Sequence, residues 1–249
     1  MKVVFHKDFY SVYACEPAAI SGRMESVMNA LGGRYEIIEA VDADPKDIEA
    51  AHSATHVSHI RRQLLYNYAI KAAGGAIQAA VIGMAEPAFA AVRPPGHHAS
   101  RDDAWGFCYF NNMAVALLHL MNNGKIKTAA VLDFDLHYGD GNVDILSELG
   151  TVKILNPEEK NRKDYLNGVQ AFFDNLNVDI IGVSAGFDNH EEDWGALLKT
   201  EDYFTMGQMV KKTAERMGAG YFGILEGGYN HDVLGECVLA FLQGMDRVE

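Results

Sequence analysis

Two aspartates and a histidine alternate with apolar residues in one short segment of the chain, a spacing that could bind a metal ion. The three polar residues are Asp133, Asp135 and His137. If the segment is extended, their side chains share one face, because successive side chains of a strand point to opposite sides. Residues 128–152 contain no Lys or Arg that could neutralise the two carboxylates. A hydrogen-bonded cluster with a distant counter-charge is the alternative, but a bound cation accounts better for these residues.

A third carboxylate, Asp188, follows another apolar run, in the segment Ser-Ala-Gly-Phe-Asp-Asn-His. Together with Asp135 and His137 it would provide two carboxylates and one imidazole. This set suits Zn²⁺ and, on ligand type alone, Fe²⁺, and it leaves coordination positions for water and substrate. His190 is a spare candidate ligand, although a loop histidine beside a carboxylate is more often a hydrogen-bond partner.

Adjacent histidines, His97 and His98, follow the sequence Arg-Pro-Pro-Gly at positions 93–96. Proline fixes the backbone and glycine permits a close approach, so this loop is suited to aiming two imidazoles. Such histidines could equally be ligands, proton carriers or surface residues; beside a metal cluster they become candidates for general acid and base. Asp133 and Asp140 could accept hydrogen bonds from their second ring nitrogens, which predicts the pairs His97–Asp133 and His98–Asp140.

Two further segments carry aromatic residues next to glycines. Tyr229 follows two glycines in Glu-Gly-Gly-Tyr-Asn, residues 226–230, and its hydroxyl could donate to a developing oxyanion. A tyrosine packed in the core is the alternative. The segment 105–112 reads Trp-Gly-Phe-Cys-Tyr-Phe-Asn-Asn. Most of its aromatic residues are expected in the core, and Gly106 and Phe107 are the candidates for the wall of a substrate channel.

Strand and helix patterns alternate along the chain, which predicts an α/β fold. We expect strands at Val3–His6, Tyr35–Ala40, Ala88–Arg93, Thr128–His137, Val152–Leu155, Asp179–Asp188 and Tyr221–Glu226. We expect helices at Met24–Leu31, Pro45–Ala51, Val57–Ala73, Asn112–Asn122, Val143–Leu149, Arg162–Asn175, Asp202–Met217 and Asp232–Met245. This alternation indicates a three-layer α/β/α architecture, with a central, mostly parallel sheet between two layers of helices. Residues 1–249 should form a single domain. The polar clusters all follow strand ends, where such sheets bind ligands.

Composition narrows the possible functions. The chain of 249 residues carries a net charge of −13, which disfavours binding to nucleic acid or to anionic membranes and favours a cationic ligand. Acidic surfaces also serve solubility alone. Three cysteines without CxxC spacing disfavour a disulfide scaffold. With no signal peptide and no membrane span in the sequence, we expect a cytoplasmic protein. No particular oligomeric state is predicted.

Five segments, taken in order, resemble the histone deacetylase family. This family includes the acetylpolyamine amidohydrolases and belongs to the arginase/deacetylase superfamily; the chain looks like a short prokaryotic-type member. The segments are Arg93–Ala99, Gly106–Asn112, Asp133–Gly141, Ser184–His190 and Glu226–Asn230. The resemblance implies the arginase/deacetylase fold and a zinc-dependent amidohydrolase that deacetylates an N-acylated amine.

The resemblance also implies a role for each residue of the site. Asp135, His137 and Asp188 look like the ligands of one divalent metal ion. His98 looks like the general base and acid, with His97 as its electrostatic partner. Asp133 and Asp140 look like the carboxylates behind the two histidines, Tyr229 like the residue that polarises the carbonyl, and Gly106 and Phe107 like the channel wall. A potassium ion near the first aspartate is also possible in this family.

The chain departs from the family pattern where a long glycine-rich loop is expected. Fifty residues separate His137 from Asp188, and that loop looks deleted. The region between the predicted helix Val57–Ala73 and Gly74-Gly75 also looks shortened, and it shows no counterpart of the family's rim aspartate. We therefore expect a shallower pocket, with a small acylated amine or an exposed acyl-lysine as the substrate rather than a histone.

Two other functions remain open at this point. A ureohydrolase of the arginase type would need two manganese ions and the pattern Asp-x-His-x-Asp, whereas Tyr138 and Gly139 follow His137 here. A catalytically inactive module that binds acyl-lysine or serves as a regulatory subunit should have lost a ligand, the base or the tyrosine. Residues of all three kinds are present.

Overall fold

A parallel β-sheet forms the centre of the computed structural model, which describes residues 1–63 and 65–246. Within those residues its strands follow the order β2-β1-β3-β7-β6-β4-β5. Their bounds are β1 Lys2–Phe5, β2 Glu36–Glu39, β3 Ala88–Ala90, β4 Ala129–Asp133, β5 Val152–Leu155, β6 Ile180–Ala185 and β7 Gly220–Leu225. The pairings between these strands are all parallel, as the alternation of strands and helices predicted.

Two groups of helices cover the sheet. Their bounds are α1 Arg23–Leu31, α2 Pro45–Ala51, α3 Ala54–Arg62, α4 Tyr66–Gly83, α5 Asn112–Asn122, α6 Asp140–Leu146, α7 Arg162–Asp174, α8 Thr200–Met217 and α9 His231–Met245. Helices α1, α7, α8 and α9 contact one another in one group, and α2 to α5 contact one another in the other. The predicted three-layer α/β/α fold is thus confirmed. None of the helices described is long and apolar enough to cross a membrane.

The strands that carry the candidate site lie in the middle of the sheet. Every residue of β4, β6 and β7 is buried, because helices cover both faces of these strands. Asp133 at the end of β4 is in register with Ser184 of β6, and Ser184 is in register with Ile224 of β7. The chain therefore leaves three neighbouring strands at the same edge, and the segments that follow them must meet there.

The prediction that a strand runs through His137 is wrong, because β4 ends at Asp133. Beyond it, two aspartate side chains bond to the backbone two residues further along. The Asp133 carboxylate accepts from the amide of Asp135 at 3.3 Å, and the Asp135 carboxylate accepts from the amide of His137 at 3.0 Å. Side chain to backbone bonds of this kind compete with the hydrogen-bond ladder of a sheet. The metal-ligand candidates of this segment thus lie on a loop instead of alternating along a strand.

The single helix predicted for Val57–Ala73 is also wrong. Helix α3 begins after Ser53, whose hydroxyl accepts from the amide of His56 at 3.3 Å, and helix α4 begins at Tyr66. Position 64, between them, lies outside the described residues. Gly74 and Gly75 are inside α4. A β-carbon on Gly74 would lie 1.9 Å from the carbonyl oxygen of Val41, so the glycine permits the helix to approach that loop instead of ending the helix.

A buried histidine, His52, holds both ends of the segment that contains Gly106 and Phe107. Its Nδ1 lies 2.9 Å from the carbonyl oxygen of Ser100, and its Nε2 accepts from the amide of Asn111 at 2.8 Å. These two contacts require the neutral ring with the proton on Nδ1. Burial is the main reason that the pKa of His52 is lowered, to about 3.

Acidification should therefore destabilise the chain through His52. Between about pH 3 and the unfolded histidine pKa of about 6.5, the unfolded chain binds a proton that the folded chain does not, so the free energy of unfolding falls as the pH falls. By about pH 5 the loss should reach about 2 kcal/mol. Urea unfolding of the unaltered chain and of His52→Gln at about pH 7.5 and about pH 5 measures it. The drop should be about 2 kcal/mol smaller in the variant; equal drops would contradict this assignment.

Candidate active site

Asp135, His137 and Asp188 converge, although they come from two different loops. One donor atom from each lies within 4.8 Å of the others. Nδ1 of His137 is 3.3 Å from Oδ1 of Asp135 and 3.1 Å from Oδ2 of Asp188. Both carboxylates are buried, whereas the imidazole is partly exposed. The arrangement places two anionic side chains around one nitrogen of a partly exposed ring.

The electrostatics of these residues call for a positive charge between the carboxylates. The hydrogen bond that Nδ1 of His137 donates to Asp135, followed by its contact with Asp188, raises the pKa of His137 to about 10. Burial, followed by the charge of Asp135, raises the pKa of Asp188 to about 6. Oδ2 of Asp188 is buried without a hydrogen-bond partner. A protonated imidazole balances the carboxylates here, and a divalent ion bound to oxygen and nitrogen donors would do so more fully, so the residues fit a metal ion.

Two glycines make room for the Asp135 carboxylate. A β-carbon on Gly186 would lie 2.0 Å from Oδ2 of Asp135, and one on Gly227 would lie 2.6 Å from the same atom. The amide of Gly227 also donates to this oxygen at 2.8 Å. Oδ1 of Asp188 accepts from the amide of Leu136 at 3.1 Å. Backbone donors from neighbouring loops thus orient both carboxylates.

His97 and His98 make the two hydrogen bonds that the sequence predicted. Nδ1 of His97 is 3.2 Å from Oδ2 of Asp133, and Nδ1 of His98 is 2.7 Å from Oδ1 of Asp140. Both imidazoles are buried, with ring centroids 3.9 Å apart. Nδ1 of each histidine is therefore held by a carboxylate, and Nε2 of His97 also lies 3.8 Å from Oδ1 of Asp135, so His98 is the one of the two whose Nε2 is available to exchange a proton.

The two histidines differ in charge. Burial alone would lower the pKa of His97, but the charges of Asp135 and Asp133 raise it well above its ordinary value. Burial, together with the charge on His97, lowers the pKa of His98 to about 4. At neutral pH, His97 is a cation and His98 is neutral. Neighbouring groups whose pKa values are driven apart in this way can serve as acid and base.

Tyr229 lies in the loop between β7 and α9. Its phenol ring stacks on Trp194 with centroids 4.1 Å apart and lies edge-on to Phe107 at 5.9 Å. Its backbone amide donates to Asp193 at 2.7 Å. Burial and the charges of the two carboxylate ligand candidates raise the pKa of the phenol. The hydroxyl therefore stays protonated and is available as a donor.

Six aromatic rings surround the site, and we call them the aromatic collar. Neighbouring ring centroids along it are 3.8, 6.0, 6.1, 4.1 and 5.9 Å apart. In that order the rings are those of Trp105, His98, His137, Trp194, Tyr229 and Phe107. These include both tryptophans of the chain, and both are more than half exposed, at 54% and 53%. Their indoles form the outer part of the collar.

The predicted channel residues lie within this arrangement. Gly106 has a φ of 59°, and a β-carbon there would lie 2.3 Å from the His98 ring, so only glycine lets the backbone pass the imidazole. Phe107 contributes a ring of the collar. His190, the spare ligand candidate, instead accepts from the amide of Glu192 at 3.2 Å and contacts the hydroxyl of Thr200 at 3.1 Å. It does not join the group of metal-ligand candidates.

Several supporting residues were not recognised in the sequence. The buried guanidinium of Arg23 donates to the carbonyl oxygens of Glu226 and Gly228. Oε2 of Glu226 accepts from the amides of Gly96 and His97 at 2.7 and 3.2 Å. The end of β7 is thus bonded to the histidine loop on one side and to helix α1 on the other. A contact across more than 200 residues leaves no local pattern by which it could be found.

Comparison with known proteins identifies the class to which this fold and site belong. The protein-family model named histone deacetylase domain matches residues 17–165 and 151–245 of this chain. The chain therefore belongs to the histone deacetylase family, whose members include deacetylases and amidohydrolases, as its motifs predicted.

Individual relatives agree with this. The chain is 28% identical to a probable deacetylase of Methanothermobacter thermautotrophicus over 313 aligned positions, covering 99% of this chain and 91% of that protein. It is 31% identical to the acetylpolyamine amidohydrolase of Mycoplana ramosa, over 64% of this chain and 56% of that protein. The crystal structure of the HDA15 HD domain shares the fold, with a TM-score of 0.82 and 24% identity over 98% of this chain and 88% of that one.

A substitution at Asp188 tests whether this residue is a metal ligand and a nearby residue, His190, is not. Asp188→Asn keeps the shape of the side chain but removes the charge and one oxygen, so after zinc loading the variant should bind much less zinc than the unaltered chain. His190→Gln is the matched control and should retain zinc, because His190 bonds within its own loop. Metal content after zinc loading and gel filtration measures both. Full zinc content in Asp188→Asn, or loss of zinc only in His190→Gln, would remove Asp188 from the ligand set.

Proposed function

We propose that this protein is a zinc-dependent amidohydrolase that removes the acyl group from an N-acylated amine. The observation that carries the proposal is a neutral, carboxylate-backed histidine held beside a three-residue ligand set and a protonated tyrosine. Hydrolysis of an amide by water needs a base, a stabiliser of the oxyanion and an acid that protonates the leaving amine. His98 is the candidate for the base and then for the acid, with His97 as its charged partner, and Tyr229 is the candidate for the oxyanion stabiliser.

Asp135, His137 and Asp188 would hold the ion. When bound, zinc supplies Lewis acidity toward the acyl oxygen and lowers the pKa of water from about 15.7 toward about 7. The backbone amide of Gly227 donates to Asp135 and that of Leu136 donates to Asp188. These bonds favour the ionised carboxylates and orient them toward the proposed metal position.

The histidine pair would handle the protons. Asp140 keeps the Nδ1 proton of His98 in place, which leaves Nε2 unprotonated to accept a proton from the attacking water. His97 is already protonated and cannot serve as that base. Its charge beside His98 helps to return a proton to the leaving amine, because two adjacent imidazolium ions repel each other.

Tyr229 would stabilise the negative charge that develops on the acyl oxygen when water adds to the acyl carbon. Its phenol is protonated, and a neutral donor brings no charge that would repel the two carboxylates nearby. Stacking on Trp194 and the edge contact with Phe107 fix the ring. A donor that is oriented in advance stabilises the transition state without reorganising during the reaction.

For the substrate, we propose a small acylated amine or an exposed acyl-lysine. Both outer rings of the collar are more than half exposed, which fits a short pocket. The segment between β5 and α7 covers only residues 156–161. The net charge of −13 would attract a cationic amine. One relative carries the name acetylpolyamine amidohydrolase.

A panel of acylated lysines and acylated polyamines tests the activity and its substrate class together. Each compound is incubated with the protein, with the protein and a chelator, and with the chelated protein after zinc is added back. We expect turnover of at least one compound, loss with chelator and recovery with zinc. Turnover that the chelator leaves unchanged would contradict the role of the metal, and binding without turnover would indicate an inactive acyl-lysine-binding module.

Tyr229→Phe should lower kcat about 10²–10³-fold while zinc content is retained, because one donor to the oxyanion is lost. Tyr138→Phe is the matched control: Tyr138 follows the ligand candidate His137 and its ring is 48% exposed. Steady-state kinetics and metal analysis of both variants measure the effect. Turnover within twofold of the unaltered enzyme in Tyr229→Phe would rule out the oxyanion role.

A further inference from the structure

One exposed tryptophan, Trp105, contacts both members of the His98–Asp140 pair. Its Nε1 donates to Oδ2 of Asp140 at 2.8 Å, while Oδ1 of the same carboxylate lies 2.7 Å from Nδ1 of His98. The indole also stacks on the His98 ring, with centroids 3.8 Å apart and 30° between the planes. The three side chains therefore form a closed set of contacts.

The indole N–H restricts the Asp140 carboxylate. This side chain is 44% exposed, and with a single partner it could rotate and turn an oxygen toward solvent. With His98 on one oxygen and Trp105 on the other, both oxygens have a fixed partner. Hydrogen bonds to a charged acceptor are stronger than those between neutral groups, so the N–H is suited to this task.

The indole face restricts the His98 ring. The His97 ring lies 3.9 Å from that of His98 on centroids, and the indole lies 3.8 Å from it. His98 is therefore in close contact with two rings, that of His97 and the indole of Trp105. Rotation of His98 about its side-chain bonds would break one contact or the other.

The exposure of Trp105 argues against a role in packing alone. With 54% of its surface in solvent, the indole contributes little to the core, and tryptophans that serve the core are highly buried on average. Its backbone is fixed by the bridge between Ala99 and Ala104 and by the bond from Cys108 to its carbonyl oxygen. The residue is thus presented to the catalytic pair by a short, well-bonded loop.

We propose that Trp105 is a positioning residue, whose N–H and ring face together orient His98 and Asp140 for proton transfer. This rests on the proposed amidohydrolase function. Trp105 acts through Asp140 and His98 and carries no proton of the reaction itself.

Steady-state kinetics of the zinc-loaded enzyme on the best compound of the panel test the proposal. Trp105→Phe keeps a ring face but loses the N–H, and it should lower kcat about tenfold with KM changed less than twofold. Trp105→Leu, which loses both features, should lower kcat further. Tyr138→Phe, which removes a hydroxyl from an exposed residue outside the His98–Asp140 pair, is the kinetic control and should leave kcat within twofold of the unaltered enzyme.

The double variant Trp105→Phe/Asp140→Asn shows whether Trp105 acts through the carboxylate. If it does, the double variant should be no slower than Asp140→Asn alone, because the contact that Trp105 supports is already altered. Effects that multiply, or an unchanged kcat in Trp105→Phe, would overturn the proposal.

A measurement without turnover keeps this proposal separate from the proposed function. In protein with ¹⁵N-labelled histidine, the hydrogen-bonded Nδ1 proton of His98 should exchange with water faster in Trp105→Phe than in the unaltered chain or in Trp194→Phe. An unchanged exchange rate would overturn the positioning role even in an active enzyme. Faster exchange in a chain that hydrolyses no compound of the panel would support the positioning while the proposed function fails.

Discussion

The burial of four carboxylates at one edge of a parallel sheet is the constraint on which the site depends. Asp133, Asp135, Asp188 and Glu226 are each at most 4% exposed, and buried anions are strongly unfavourable unless cations and donors accompany them. Backbone amides and the imidazoles of His97 and His137 supply some of these donors and positive charges. Oδ2 of Asp188 and Oε1 of Glu226 still have no hydrogen-bond partner. A site with this imbalance favours a cation between Asp135 and Asp188: without a metal ion the imidazolium of His137 takes that part, and a bound ion would replace its Nδ1 proton.

The parallel order of the strands brings these carboxylates together without long connecting segments. Strands β4, β6 and β7 are neighbours in register, so the residues that follow them meet without long connections. Each of the loops then supplies a backbone contact to a neighbouring loop's side chain, as Gly227 does to Asp135 and Leu136 to Asp188. The carboxylates thus join the loops as well as providing ligands, so that loss of one of them would loosen the geometry of the rest.

Much of this could be predicted from the sequence, and the failures have physical causes. Apolar runs bounded by polar residues located the strands, because buried parallel strands are apolar throughout, and the order of five motifs identified the family.

The predicted extent of β4 was wrong because hydrogen bonds from the backbone to the side chains of Asp133 and Asp135 end the hydrogen-bond ladder of the strand. No hydrophobic pattern records such bonds. Arg23, Glu226 and Trp194 were missed because their importance lies in contacts between distant parts of the chain. The pairing of each histidine with its aspartate was predictable because both motifs follow strand ends at the same edge of the parallel sheet, although β7 and β6 lie between β3 and β4.

The short length of the chain accounts for the position of its two tryptophans beside the site. The alignment with the archaeal relative extends over 313 positions, more than the 249 residues of this chain, so the relative contains segments that this chain lacks. With a short connection between β5 and α7, little chain remains to enclose the outer part of the site. A large planar side chain supplies contact area with few rotatable bonds, and Trp105 and Trp194 each place such a ring directly on one of the residues proposed to handle a proton or an oxyanion. Orientation of those residues can therefore come from single side chains, while the remainder of a bound amine stays in water, where the acidic surface acts on it.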